Sequence, residues 1–104
     1  MDHLYGEFSK IQMQEQKKHL HNSIHWLLIY KEEDYPQLDY YFETLLWRIS
    51  GLNDILFQPP ELVTLISLLQ AAKKEALKDN CDFKKYRKLI LDSHSLIDKI
   101  KEGD

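Results

Sequence analysis

Apolar residues in this chain recur at intervals of three and four, the spacing that lines one side of an α-helix. Nowhere do they alternate as a half-buried strand requires. The pattern is clearest from Leu38 through Tyr41, Phe42, Leu45, Ile49 and Leu52 to Leu56, about five turns of one face. Ahead of it, Asp34-Tyr35-Pro36-Gln37 predicts a helix start, with Asp34 as the cap, Pro36 in the first turn and Gln37 at the reciprocal capping-box position. Gly51 interrupts the run, costs about 1 kcal/mol against alanine inside a helix, and predicts a kink or an end there. Gln58-Pro59-Pro60 then forces a turn.

Pro60 and Glu61 suit the start of another helix, whose stripe is Leu62, Leu65, Leu69, Ala72 and Ala76, with Ile66 and Leu68 at its edges. Asp79-Asn80-Cys81-Asp82 ends it. Asp82 is placed to cap a last helix facing inward with Phe83, Tyr86, Ile90, Ile97 and Ile100. In the first thirty residues Leu4, Phe8 and Ile11 follow one phase, and Met13, Leu20, Ile24 and Leu27 another. The polar stretch Gln12 to Lys18 separates them, so a break is expected between residues 12 and 22, with Asn22-Ser23 capping a fresh helix from Ile24.

These elements predict an all-α fold: a small antiparallel bundle of three long helices plus an N-terminal helix or arm. Residues 1–104 form a single domain in which 1–22 can stand apart as a separate arm or helix. Helices should fill about three quarters of the chain, well above the average share, with turns near 31–35, 57–60 and 79–82. The expected core is Leu38, Phe42, Leu45, Ile49, Leu52, Leu62, Leu65, Leu69, Phe83, Tyr86, Ile90 and Ile97.

Composition narrows the function classes. The 17 acidic and 14 basic residues leave a formal charge of −3, against the basic surplus by which nucleic-acid binders neutralise phosphates. The run Lys84, Lys85, Arg87, Lys88 is interrupted by Tyr86 and followed by Leu89 and Ile90 at core spacing, which makes it a solvated helix flank. The longest apolar run, Trp26 to Tyr30, is far too short to span a bilayer, and the first residues lack a signal peptide's basic start and apolar stretch. With the single cysteine Cys81, no intramolecular disulfide or thiolate zinc cluster can form. A cytoplasmic protein is the expectation, with no cofactor and with neither nucleic acid nor membrane as partner.

Three groups of residues bear on chemistry. His19, His21 and His25 suggest a transition metal, imidazole being the commonest protein ligand. On a helix only His21 and His25 share a face, so a metal-binding bundle built on them needs further ligands from His3, His94 or a partner chain. Arg87 and His94, with six residues between them on the last helix, resemble the R-x4-6-H motif of the HEPN ribonuclease family, with Lys88 where that family usually carries Asn, Asp or His. The resemblance implies a metal-independent ribonuclease in which Arg87 stabilises the scissile phosphate and His94 assists proton transfer at the ribose 2′-hydroxyl, in a cleft shared at a dimer interface. The acidic trio Glu32, Glu33 and Asp34 lacks the ligand pattern of an EF-hand. No serine sits in a glycine-flanked elbow and no glycine-rich phosphate loop occurs.

The third group is an apolar surplus off the core face. At 100° per residue, Tyr40 and Trp47 lie roughly 140° and 160° from Leu45, with Glu43 between them. Ile24 to Tyr30 is apolar around almost the whole helix, so Trp26 and Ile29 cannot both face one core. Aromatic stripes of this kind bury large areas at small entropic cost and serve as binding sites. A non-enzymatic interaction module follows, a small regulator, inhibitor or immunity-type protein using Trp26, Ile29, Tyr40, Glu43 and Trp47. Its partner is another protein or a second copy in a homodimer. Leu4, Tyr5 and Phe8 are alternative companions for that surface.

Overall fold

A computed structural model describes residues 10–56 and 58–100. Four helices account for 83% of them: α1 (Lys10–Glu32), α2 (Leu38–Ile55), α3 (Pro60–Ala76) and α4 (Phe83–Lys99). No strand occurs among the described residues. Each helix packs against the two beside it in a ring, α1 on α2, α2 on α3, α3 on α4 and α4 back on α1. The result is an up-down-up-down bundle.

The first helix differs from the sequence expectation. Residues 10–32 form one unbroken helix, and neither the polar stretch nor Asn22-Ser23 divides it. The stretch is rich in Gln, Glu and Lys, all good helix formers, and holds no Gly or Pro to stop it. The second apolar phase simply runs back to Met13, which is buried with Leu20, Ile24 and Leu27. Leu4, Tyr5 and Phe8 lie outside the described residues, and so does the part of the expected arm before Lys10.

Asp34 has a different role from the expected cap of α2. Its φ of 53° is left-handed, its N–H reaches the Lys31 carbonyl (3.2 Å), and the Tyr35 N–H reaches that of Tyr30 (2.9 Å). That pair of bonds closes the C-terminus of α1 as a Schellman motif, with Asp34 in the position usually given to Gly or Asn. Tyr30 and Tyr35 supply the ring contact that accompanies it, centroids 4.4 Å apart. Helix α2 begins instead at Leu38 behind Gln37, whose side chain makes no capping bond. Gly51 does not end α2, which runs on to Ile55. Pro60 opens α3, and the Asp82 carboxylate caps α4 by accepting from the Lys84 and Lys85 amides.

The core is the set of inward stripes from all four helices, and eleven of the twelve residues expected there are buried. Phe83 is the exception at 37% exposure. It is the first residue of α4, and its ring, 6.0 Å from that of Tyr86, lines a surface hollow with Leu28 and Glu32 of α1 instead of entering the core. Tyr86 is fully buried and donates its hydroxyl to the Leu27 carbonyl at 2.8 Å, tying α4 to α1. Burial pushes its phenol pKa well up. Two α1 lysines finish the C-termini of other helices: Lys31 donates to the Ala76 carbonyl (2.9 Å) and Lys17 to those of Asp98 (3.3 Å) and Ile100 (3.0 Å).

Between α3 and α4 the turn is held by a buried carboxylate. Glu75 accepts the Asp82 amide at 2.9 Å and the Lys78 ammonium at 3.2 Å, with Lys85 3.5 Å away. The backbone bond from Asp82, then the bond from Lys78, hold this carboxyl below its ordinary value of 4.5 despite burial. A depressed carboxyl pKa adds stability above the unfolded value, lost as pH falls through the folded one. Urea midpoints of Glu75→Gln should therefore trail wild type clearly at pH 7 and approach it at pH 3. An equal gap at both would show that the charge contributes nothing.

Candidate functional site

The α2 face turned away from the core carries Tyr40, 69% exposed, and Trp47, 79% exposed. Seven residues apart, they stand on one side of the helix about 10 Å from each other. No ring packs against Trp47 among the described residues. Glu43, one turn before Trp47, forms an ion pair with Lys73 of α3, so its carboxylate is directed sideways toward α3. Asp39 accepts the Tyr40 amide at 2.7 Å and helps start the helix.

Beyond Trp47 the surface falls into a hollow of about 480 Å3 lined by Gln16 of α1 and by Trp47, Arg48, Gly51, Asp54 and Ile55 of α2, among others. It lies between α1 and α2. A Cβ built on Gly51 meets nothing within 4 Å. Trp47, Gly51 and Ile55 follow each other at single-turn spacing, so a large indole and a half-exposed Ile55 flank a bare stretch of backbone. Gly51 and Ile55 were not singled out as site residues from sequence. The glycine's signal was present, but it read as a helix break.

Trp26 and Ile29 are placed elsewhere. Trp26 is 39% exposed and its ring packs on Tyr30 at 5.4 Å, while Ile29 is half-buried. Tyr30 also meets Tyr35 and, edge-on at 5.1 Å, Tyr41, whose hydroxyl donates to the Ser23 carbonyl at 3.1 Å. Burial, set against that hydrogen bond, raises the Tyr41 pKa. These aromatics close the seam between α1 and α2 near their connecting turn, so Trp26 already has an aromatic neighbour, and among the described residues Trp47 has none.

The other candidates are separated. His25 and His19 are exposed on α1, and His21 turns instead to His94 and Asp98 of α4. Among the described residues no three His, Cys, Asp or Glu side chains are placed to share a metal ion. Arg87 lines a hollow of about 240 Å3 with Leu28, Glu32 and Phe83, and His94 is not among the lining residues. No described helix is long and apolar enough to cross a membrane.

Comparison of the chain with protein-family models, with curated proteins and with solved structures finds no match.

Proposed function

We propose that this chain is a non-enzymatic interaction module that binds another protein, or a second copy of itself, through the outer face of α2. One observation carries the reading: Trp47 is 79% exposed and stands one turn from Gly51, whose side-chain space is empty. Each residue breaks a rule of stable folding. An aromatic side chain buries roughly 150–250 Å2 when covered, which at about 25 cal/mol per Å2 amounts to several kcal/mol forgone in the lone chain. Glycine in a helix costs about 1 kcal/mol against alanine, and here no crowding demands it. Such local violations gather at functional surfaces. A partner helix laid across Trp47 would cover the indole and approach the backbone at Gly51 closely.

Gly51→Lys tests this without disturbing the fold. The new side chain points into open space, so stability should stay level or rise by up to about 1 kcal/mol in urea titrations. The same side chain blocks the hollow. Self-association measured by sedimentation equilibrium, or binding of a recovered partner, should fall at least tenfold, whereas Lys88→Ala on α4 should change neither. Association unaffected by Gly51→Lys would remove this face from the interaction.

A further inference from the structure

The most organised polar cluster away from the α2 face joins α1 to α4. His21 Nδ1 lies 2.7 Å from His94 Nδ1, and His21 Nε2 lies 2.8 Å from Asp98 Oδ1. The two imidazole centres are 5.0 Å apart with their planes within 10° of parallel. Nitrogens that close, at that centre spacing, must lie on the line joining the rings. The imidazoles therefore meet edge to edge, with room between the nitrogens for a single hydrogen.

That geometry counts protons. An N–H can point at a ring lone pair but not at another N–H. The Asp98 carboxylate fixes a proton on His21 Nε2, which leaves His21 Nδ1 to accept from His94 Nδ1–H while both rings are neutral. One added proton is tolerated: His21 as an imidazolium donates to Asp98 on one side and to His94 Nδ1 on the other, His94 now carrying its proton on Nε2. A second added proton sets two N–H groups and two positive charges face to face at hydrogen-bond distance.

We propose that the His21–His94 pair is a proton-operated latch between α1 and α4, closed while the two rings share at most one positive charge and opened when both are charged. The charged and titratable groups facing His94 are His21 and His25 from α1 and, on its own helix, Asp98, whose backbone carbonyl holds the Lys17 ammonium. Among the described residues α2 and α3 present no charged group to it. Burial above all, then His21 and His25, lower the His94 pKa from its ordinary 6.5, against the opposing pull of Asp98.

The sign follows from linkage. A histidine whose folded pKa lies below the unfolded one binds fewer protons when folded, so its contribution is complete above pH 6.5 and disappears as pH falls through the folded value. Opening the latch also removes support beside the Lys17 clamp on the last turn of α4.

Urea unfolding at pH 8, 6.5 and 5.5 tests the latch on wild type, His21→Gln, His94→Gln and Asp98→Asn. The wild-type midpoint should fall across this range. Either glutamine variant should flatten the fall by at least half, whatever its midpoint at pH 8, and Asp98→Asn should steepen it by removing the counter-charge. Long-range proton–nitrogen NMR of the imidazoles at pH 8 reads the wild type directly, and should show Nε2–H on one ring and Nδ1–H on the other. Parallel pH profiles for wild type and His94→Gln, or the same tautomer on both rings, would overturn the proposal.

Discussion

Trp47→Ala is expected to weaken self-association or partner binding at least about thirtyfold while the helical signal and melting temperature stay at the wild-type level. A tryptophan central to a standard interface of about 1,600 Å2 typically contributes 2 kcal/mol or more, and each 1.4 kcal/mol is tenfold in affinity. Truncation removes little packing among the described residues, because the indole is 79% exposed. Alanine is also the better helix former by a few tenths of a kcal/mol, so stability should hold or rise slightly. Sedimentation equilibrium and circular dichroism on the same sample separate the two effects. A melting temperature that drops steeply with Trp47→Ala would place the residue in the core and end the argument drawn from its exposure.

Phe42→Ala should show the opposite pattern. Five residues earlier on the same helix, Phe42 is fully buried and meets Tyr86 edge-on, centroids 6.4 Å apart at 74°. Removing a buried phenylalanine loses its transfer energy and leaves a cavity, together about 3–5 kcal/mol. Total stabilities of about 5–15 kcal/mol are usual, so this is a large fraction. At roughly 4–8 °C per kcal/mol for a domain near this size, the melting temperature should drop by about 12–40 °C. A shift of only a few degrees would mean that the bundle repacks around the gap, and that its core is less tightly specified than the burial of Phe42 implies.

The contrast between these residues could be read from the sequence because both sit in a long helix, where 100° per residue sends Phe42 inward with Leu45 and Trp47 outward. The same arithmetic set the phases of α2, α3 and α4, and the prolines at 59 and 60 and the carboxylate of Asp82 marked two of the helix starts. Chain order was less informative where one residue type serves two ends. Aspartate caps an N-terminus and also tolerates the left-handed conformation, so Asp34 fitted the start of α2 as well as the end of α1, which is where it acts. Polarity from Gln12 to Lys18 reads as a break in the apolar pattern, but Gln, Glu and Lys are good helix formers and neither Gly nor Pro stands there.

The partnerships that cross between helices were not singled out by the sequence, which offered His94 beside His3 and a partner chain only as a further ligand for His21 and His25. His21 and His94 are 73 positions apart, and a helical wheel ranks His25 as the natural companion of His21. Gly51 showed in the sequence only as a weak point, since recognising an empty space beside it requires knowing where Gln16 of α1 comes to lie. Tyr40 and Trp47 could be found because their signal, an aromatic on the wrong side of a stripe, is contained within one helix.

The closed ring of helices also has a kinetic meaning. Three of its seams join helices that follow one another along the chain, so they form through short loop closures, the local-contact regime associated with folding in microseconds to milliseconds. The fourth seam, α1 against α4, joins parts of the chain far apart in sequence, and each doubling of the loop to be closed adds only about 0.6 kcal/mol of entropic cost. Completing that seam is the step least favoured by proximity. The Tyr86 hydroxyl, the Lys17 ammonium and the paired imidazoles all bridge it. They are therefore placed to govern how long the folded ring survives once formed, more than how quickly it assembles.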